Sequence, residues 1–395
     1  MLRTCLIALL CLGSSVAESA VAGVTIRTVD GRRWSADAAG IDAGDTLRLT
    51  GGEPATVPLA EVVSIEFGAV GARAEGAWDV VLVDGSRLVG ALAAADEDEL
   101  ALETTEFGVL RLPLDLVTSA SRGTPVGAAG AGADPELDHV TRKSGDTLSG
   151  TVTSIGADGV RIDGDLGAVT LAVDDVERVV VAHVDAAPEF AKKRAVVVVG
   201  AGGSELRADL VGLDRSRVEL AAMFAPAVTV GVEHLVALRL GSARAEYLSD
   251  LTPTDVVQTP YFGGGDDFLF PWQRDRSVTG GPLVAGGRTF TKGLGLHART
   301  KLTYALDGGF TRLEAVVGVA DEVLALDAKG SVEVRFLVDG TLRWTSPILR
   351  GGEAAVDVPA IALDGARELV VEVDFADRAD AGDRAIIGDA LLVKK

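Results

Sequence analysis

The chain has 395 residues, which is enough for several domains with hydrophobic cores of their own. Apolar residues make up 48% of the sequence but aromatic residues only 5%, and 48 glycines accompany repeated Val/Ile/Leu alternation. This composition predicts many short strands joined by tight turns, so the expected fold class is all-β. The net charge of −21 repels phosphate backbones, which argues against nucleic acid as a partner.

The N-terminus has the pattern of a secretory signal peptide over residues 1–22. Arg3 precedes an apolar run at 6–12, and small residues at Ser15, Ala17, Ala20 and Ala22 fit a cleavage site. The chain's two cysteines lie inside this segment, so the mature protein is expected to contain no disulfide. No later stretch is long and apolar enough for a transmembrane helix. We therefore expect a protein that is secreted or located in the periplasm or cell envelope.

Four segments that follow are similar to one another. Each opens with a strand leading to a glycine turn and closes with a strand, a short turn and another strand. Equivalent positions before the closing strand are Pro58, Pro113, Ala172 and Gly231, at steps of 55, 59 and 59 residues. A period in this range indicates an internal repeat of whole supersecondary units. The predicted small β repeats are residues 23–70, 78–122, 138–185 and 194–242.

Each repeat has room for about five short strands, enough for a small closed barrel. The strand and turn order resembles that of an Sm-like or SH3-like barrel. Sm-like barrels commonly bind RNA, but the predicted export and the acidic charge argue against that function here. A Gly/Ala-rich segment at residues 123–137 has the composition of a flexible linker between the first and second pairs of repeats.

The segment at residues 244–395 carries the most specific motifs. In chain order these are Tyr247–Leu251, Trp272, Asp275–Ser277, Gly281–Leu283, Lys292–Ala298, Val317–Val319 and Gly330–Trp344. Together they closely resemble the NPCBM family of carbohydrate-binding modules. The resemblance implies a galactose-binding-like β-sandwich, or jelly roll. Alternation over 332–338 supports that fold independently, because Val, Val, Phe and Val would face one side of a strand.

Sugar recognition uses an aromatic face against the apolar side of a pyranose, with charged or amide groups bonding to the hydroxyls. The candidate carbohydrate-binding residues are Trp272, Asp321, Glu322, Arg299 and Trp344. Tyr261 and Phe262 are further aromatic candidates. Trp344 in a strand is more typical of a core residue. His297, between apolar neighbours, is more typical of a structural histidine.

Acidic residues recur near the C-terminus at every third position from Asp374 to Asp383. Galactose-binding-like sandwiches often hold a structural Ca²⁺ where the first and last strands meet, and Ca²⁺ requires several oxygen ligands. The candidate ligands are Asp250, Asp374, Asp377, Asp383 and Asp389. The alternative is a solvated acidic loop without a metal.

One departure from the family pattern bears on function. Ile386 and Ile387 occupy positions where family members commonly have an acidic residue and a Trp, and Arg384 replaces a His. If those positions line a ligand surface, sugar binding would be altered or lost.

Two functions remain open. The first is a non-catalytic exported protein that binds a polysaccharide or glycoconjugate. The second is a structural or adaptor protein of the cell envelope that makes protein contacts through its repeats. The sequence contains none of the common hydrolase or nucleotide-binding motifs, so no enzymatic activity is expected.

Overall fold

The computed structural model describes residues 23–42, 44–68, 74, 76–122, 136–164, 167–182, 193–240, 244–261, 270–377 and 379–395. The predicted signal peptide and most of the predicted linker lie outside these residues. The all-β prediction is confirmed: strands dominate, and the described helices are short 3₁₀ segments. Within the described part of the chain, no helix has the length and apolar character needed to cross a membrane.

Four β units form the N-terminal part. The first contains β1 (Val24–Thr28), β2 (Arg33–Ala36), β3 (Ala38–Ile41), β4 (Thr46–Thr50), β5 (Thr56–Pro58) and β6 (Val62–Glu66). The second contains β7 (Trp78–Leu82), β8 (Arg87–Leu92), β9 (Glu99–Thr104), β10 (Gly108–Pro113) and β11 (Val117–Arg122). The third contains β12 (Asp138–Arg142), β13 (Thr147–Gly156), β14 (Gly159–Gly164), β15 (Gly167–Leu171) and β16 (Val176–Val180). The fourth contains β17 (Ala195–Gly200), β18 (Glu205–Leu213), β19 (Arg217–Ala222), β20 (Ala225–Gly231) and β21 (Leu235–Leu240).

The second, third and fourth units share one strand order. The last strand pairs with the first, and the first, second, third and fourth strands then pair in sequence. The first unit differs because its long second strand is broken into β2 and β3 at Asp37. In every unit a 3₁₀ helix precedes the last strand, at Leu59–Glu61, Leu114–Leu116, Val173–Asp175 and Val232–His234.

The repeating positions seen in the sequence are the residues immediately before these 3₁₀ helices. Pro58 and Pro113 have φ of −57° and −54° with an extended ψ, and Ala172 and Gly231 adopt similar angles without a proline ring. Proline fixes φ near these values, so it preorganises the chain where a strand ends and a tight turn begins. The 55–59-residue period therefore marks one recurring turn.

The four units assemble in pairs. The first unit pairs with the fourth through β6 and β21, and the second pairs with the third through β11 and β16. The second and fourth units also meet at their first hairpins. There the buried hydroxyl of Ser204 accepts the N–H of Val89 at 3.1 Å, and that of Ser86 accepts the N–H of Arg207 at 2.9 Å. One hydrophobic core runs through all four units.

The C-terminal part contains the remaining strands. They are β22 (Ala245–Tyr247), β23 (Asp255–Gln258), β24 (Gln273–Arg274), β25 (Leu283–Ala285), β26 (Arg288–Phe290), β27 (Gly293–His297), β28 (Thr300–Ala305), β29 (Phe310–Val319), β30 (Ser331–Val338), β31 (Thr341–Thr345), β32 (Leu349–Arg350), β33 (Val356–Ala362), β34 (Glu368–Phe375) and β35 (Arg384–Lys394). Short 3₁₀ segments lie at Leu248–Asp250 and Asp321–Ala325.

Twelve of these strands form two antiparallel sheets packed face to face, and β25 and β26 form a separate hairpin. The first sheet has the order β24-β27-β35-β29-β33, with β22 beside β35, and the second has the order β23-β28-β34-β30-β31, with β32 beside β30. Val332, Val334, Phe336 and Val338 are buried between the sheets, as the alternation predicted. Asp339 and Gly340 both have positive φ in the turn between β30 and β31, which suits a tight hairpin. The predicted β-sandwich is therefore present.

The first β unit packs against the outer surface of the first sandwich sheet. Val29, Val63 and Leu391 form a small buried apolar cluster there. Beside it the buried guanidinium of Arg27 lies 3.4 Å from an Asp389 oxygen and 3.5 Å from a Glu314 oxygen. Since isolated buried charges are strongly unfavourable, these ion pairs fix the position of the repeats on the sandwich.

Candidate functional site

Three strands of the first sandwich sheet bring polar side chains together at one end of the sandwich. His297 is the last residue of β27 and is in register with Arg384, the first residue of β35. The N–H of Ala320, just after β29, donates to the carbonyl of Arg384 at 2.7 Å. Residues that are far apart in the sequence therefore meet at this end because their strands are neighbours in one sheet.

The glycines of the Lys292–Ala298 motif allow this arrangement. A Cβ on Gly295 would lie 2.2 Å from the carbonyl oxygen of Arg276, and one on Gly293 would lie 2.4 Å from that of Ile387. Such distances are well inside van der Waals contact, so a side chain at either position would push the neighbouring backbone away. The motif therefore brings the 275–277 loop and β35 against β27.

The side chains at this end make one connected group. The ring of Phe270 stacks on that of His297, with centroids 5.1 Å apart and planes 15° apart. The Arg384 guanidinium lies over the Phe270 ring at 4.7 Å, an arrangement that favours a cation. Arg384 also forms a 3.1 Å ion pair with Glu322.

The Glu322 carboxylate is held from several directions. One oxygen accepts from Arg384, and the other accepts from the hydroxyls of Ser277 at 2.7 Å and Thr279 at 2.5 Å. Charge-assisted bonds of this kind are short and orient the carboxylate. We refer to the whole group as the His297 cluster, which consists of Phe270, Ser277, Thr279, His297, Glu322 and Arg384.

His297 is a neutral hydrogen-bonding group within the cluster. Burial lowers its pKa, as does the charge of Arg384, while the carbonyl of Ala298 and the charge of Asp380 act in the opposite direction. Nδ1 lies 2.7 Å from the carbonyl oxygen of Ala298, which can only accept, so Nδ1 carries the proton. In the neutral ring Nε2 is then an acceptor.

The cluster suits a ligand rich in hydroxyl groups. Glu322 and His297 supply acceptors, Arg384 supplies donors, and Phe270 supplies apolar surface. The Arg384 Nε has no hydrogen-bond partner among the residues that the structure describes. The Arg384 guanidinium therefore has a donor that is not used within the described part of the cluster.

One of the five predicted sugar-binding residues, Glu322, belongs to the His297 cluster. Asp321 has a different role, since its two oxygens accept the N–H groups of Gly286 and Gly287 at 2.7 and 2.8 Å and anchor the β25–β26 hairpin. Arg299 lies two residues after His297, between β27 and β28, and pairs with Asp374 rather than with a residue of the His297 cluster.

The two predicted tryptophans are partly buried against the sandwich core. Trp272 precedes β24, and the Arg274 guanidinium lies 5.5 Å from its ring. Trp344 is on the edge strand β31, where its ring centroid is 5.9 Å from that of Phe336. Neither tryptophan has a contact with the His297 cluster among those identified in the described residues. Phe262 lies outside the described residues.

Sequence reasoning did not select Phe270 or Thr279, and it treated Arg384 only as a replaced position. Arg384 and Thr279 are 105 positions apart in the sequence, and both bond to Glu322. The available signal was register: residues at the end of β27 and the start of β35 must face each other once the two strands pair.

Four of the five predicted metal ligands pair with cationic side chains at separate places. Asp250 accepts from Lys292 at 2.6 Å. The other three pairs are Asp374 with Arg299 and Arg335, Asp377 with Arg350, and Asp389 with Arg27 and Arg33. Nowhere in the described ranges do three or more His, Cys, Asp or Glu side chains form a group that could hold a metal. The five carboxylates therefore do not fit a single shared Ca²⁺ site, and Ca²⁺ binding itself stays a prediction.

Asp383 differs from the other four because it is 1% exposed and has no cationic partner in the described structure. One oxygen accepts the N–H of Ser331 at 2.7 Å, and Oδ2 has no partner among the described residues. Burial raises the pKa of this carboxyl to about 7, with Asp380 and Asp377 adding to the increase and the Ser331 N–H opposing it.

The two isoleucines that depart from the family pattern are both buried. Ile387 belongs to the core between the sheets, and Ile386 packs under the β25–β26 hairpin with Leu283 and Phe290. They do not line the His297 cluster surface. Arg384, the third departure, lies within the cluster.

Comparison with known proteins assigns a family to the sandwich. Residues 244–393 match the family model of the NPCBM/NEW2 domain. A 104-residue stretch is 35% identical to a protein of Renibacterium salmoninarum named as an endo-alpha-N-acetylgalactosaminidase, covering 26% of this chain and 7% of that protein. A 110-residue stretch is 33% identical to alpha-1,3-galactosidase B of Akkermansia muciniphila, covering 27% of this chain and 13% of that protein. The chain thus spans only a small part of these two relatives.

Two solved structures from Clostridium perfringens are similar to the chain. One is the CBM51 of GH95 in complex with methyl-galactose, at 24% identity and a TM-score of 0.33, covering 38% of this chain and 99% of that one. The other contains CBM51-2 of ZmpB in complex with GlcNAc together with INT domains, at 21% identity and a TM-score of 0.34, covering 46% of this chain and 39% of that one.

Proposed function

Because residues 244–393 form an NPCBM/NEW2 domain, we propose that the protein is an exported, non-catalytic glycan-binding protein whose ligand occupies the His297 cluster. The observation that carries this proposal is the cluster itself. It combines an aromatic ring, an oriented carboxylate, a neutral imidazole and a guanidinium at the end of a β-sandwich. These groups match the apolar face and the hydroxyls of a pyranose ring.

Export is part of the proposal and rests on the N-terminal signal-peptide pattern. Non-catalytic binding is supported by the chemistry of the cluster. Its carboxylate, Glu322, bonds to an arginine and two hydroxyls, and no second carboxylate is among the six residues that form the cluster. A glycosidase requires two carboxyl groups facing the same glycosidic bond.

The test is a glycan array probed with the full-length mature protein, with Arg384→Ala in parallel. The parent should bind at least one class of glycan, and the variant should lose most of that signal because the Glu322 carboxylate loses its cationic partner. Failure of the parent to bind any glycan would overturn the proposal. A chromogenic glycoside assay on the same sample checks for turnover, and turnover would contradict the non-catalytic part.

The second candidate is a structural or adaptor protein of the cell envelope. The observation that favours it is the buried contact between the first β unit and the sandwich, which makes the repeats and the module one body. In this function the repeats would bind an envelope protein. The test is cosedimentation of the protein with envelope fractions before and after periodate oxidation of their glycans. Cosedimentation that persists after oxidation would favour the adaptor function, and its loss would favour glycan binding.

A structural Ca²⁺ remains a proposal, centred on Asp383. Of the five candidate ligands, Asp383 is the one whose buried Oδ2 has no partner in the described structure, which leaves that oxygen for a cation; the other ligands would be backbone oxygens and water. Ca²⁺ would supply charge neutralisation at that point and tie the 377–383 loop to the start of β30. A rise in Tm with added Ca²⁺ that chelator removes would support the proposal, and no shift would remove it.

A further inference from the structure

A second group of aromatic and charged side chains lies at the same end of the sandwich as the His297 cluster. The rings of Tyr261 and Phe375 meet edge to face with centroids 5.0 Å apart. The Arg299 guanidinium lies 5.2 Å from the Phe375 ring and forms a 2.6 Å ion pair with Asp374. We refer to these four residues as the Tyr261 cluster.

The two clusters contain the same chemical parts. In each of them an arginine lies over a phenylalanine ring and pairs with a carboxylate: Arg384, Phe270 and Glu322 in one, and Arg299, Phe375 and Asp374 in the other. Each also has one further ring, that of His297 or Tyr261. The combination that suits a sugar in the first cluster is therefore present twice.

The chain connects the two clusters over a very short distance. β27 ends at His297 in the first sheet, and β28 begins at Thr300 in the second, so residues 298–299 cross from one sheet to the other. Two residues span at most about 7 Å, so the backbones of His297 and Arg299 lie within that distance of each other. The crossing is held on both sides, because the Ala298 N–H donates to Asp383 and the Arg299 N–H donates to Thr259.

Two members of the Tyr261 cluster, Tyr261 and Arg299, are exposed to solvent. Tyr261 is 47% exposed, one of the larger exposed fractions among the big apolar and aromatic side chains described. Arg299 is 46% exposed at its side chain and uses Nε for Asp374, so its guanidinium retains further N–H donors. An exposed ring beside a fixed arginine and carboxylate offers a sugar both stacking surface and hydroxyl partners.

We propose that the Tyr261 cluster is a second sugar subsite, and that the ligand class is an oligosaccharide whose adjacent units occupy the two clusters. This inference rests on the proposed glycan-binding function and adds to it. A protein that held only a terminal monosaccharide in the His297 cluster would gain nothing from the second group. A protein that held an oligosaccharide would gain affinity from each sugar residue that it contacts.

The test is isothermal titration of the full-length mature protein with methyl-galactoside, GlcNAc and the disaccharide N-acetyllactosamine, together with the oligosaccharides that score on the glycan array. The parent should bind oligosaccharides about tenfold more tightly than their component monosaccharides. Tyr261→Ala should reduce the ratio of oligosaccharide to monosaccharide affinity to near one. Tyr261→Phe retains the ring and should keep most of the ratio.

Leu342→Ala is the matched control, because Leu342 is 51% exposed on the edge strand β31 of the same sandwich and belongs to neither cluster. It should leave every affinity unchanged. Equal affinity of the parent for a monosaccharide and its oligosaccharides would overturn the subsite while leaving the proposed function in place. The subsite would also be overturned if Tyr261→Ala kept the parent's ratio of oligosaccharide to monosaccharide affinity. No binding of any sugar by the parent would overturn both.

Discussion

Replacing Asp383 with Asn should stabilise the protein in a pH-dependent way. Burial raises the pKa of the Asp383 carboxyl from the usual 3.8 to about 7, so the folded protein binds this proton more tightly than the unfolded chain does. For such a group, the contribution to the free energy of unfolding is greatest below pH 4. It decreases as the pH rises from about 4 to about 7 and is constant above that.

The magnitude follows from the pKa difference. Three pKa units correspond to about 4 kcal/mol of stability that the ionised carboxylate removes at pH 8. Asn keeps the oxygen that accepts the Ser331 N–H. It places an amide where Oδ2 has no partner in the described structure, at a cost of about 1–3 kcal/mol. The variant should therefore be roughly 2 kcal/mol more stable than the parent at pH 8 and no more stable at pH 4.

The assay is urea unfolding in the presence of chelator, followed by tryptophan fluorescence, at pH 4 and pH 8. The exposed Asp364→Asn serves as control and should show no difference between the two pH values beyond that of the parent. If Asp383→Asn is no more stable than the parent at pH 8, the burial argument is wrong. Repeating the pH 8 titration with Ca²⁺ separates the metal proposal, because a bound ion would stabilise the parent and not the variant.

Two further changes test the architecture. Arg27→Ala should destabilise the folded protein by about 1–3 kcal/mol, because it removes one of the two cationic partners of Asp389 and of Glu314, which keep Arg33 and Arg312. Arg27→Met paired with Asp389→Asn should recover part of the loss. Calorimetry that shows no change in the Arg27→Ala unfolding transition would contradict the buried interface. Gly295→Ala should destabilise the sandwich by several kcal/mol, since its Cβ would lie 2.2 Å from the Arg276 carbonyl oxygen. A Tm within error of the parent would show that the 275–277 loop is free to move away.

Much of the fold could be predicted from the sequence because it depends on local patterns. The alternation over 332–338 identified a strand with one buried face, and Asp339–Gly340 identified the hairpin after it. The equivalent positions Pro58 and Pro113 fell on the same turn of their units, since a proline before a tight turn has a local conformational cause.

The pairing of the four units could not be predicted in this way. Contacts such as β6 with β21 join strands that are far apart in the sequence. Several other strands have the same alternation of apolar and polar residues, so each of them could pair equally well with the same sheet edge. The Arg27–Asp389 ion pair has the same difficulty, because the two residues are 362 positions apart and each also resembles an ordinary surface charge.

The candidate site was predicted only in part for a related reason. Glu322 was selected because it follows a family motif, but its partners Thr279 and Arg384 become neighbours only when the ends of β27, β29 and β35 meet. The regular spacing of the acidic residues suggested one shared site. In the structure Asp374 and Asp377 instead pair with different arginines, because spacing along a loop does not determine where each side chain points.

The most direct test of the central claim is the binding of a glycan to the full-length protein with and without the Arg384–Glu322 pair. For the best ligand from the array, Arg384→Ala and Glu322→Gln should each weaken binding by at least about tenfold, because charged hydrogen-bonding groups at a site are worth roughly 1.5–3 kcal/mol. Leu342→Ala should bind like the parent. If both cluster variants bind the glycan with the parent's affinity, the His297 cluster is not the site.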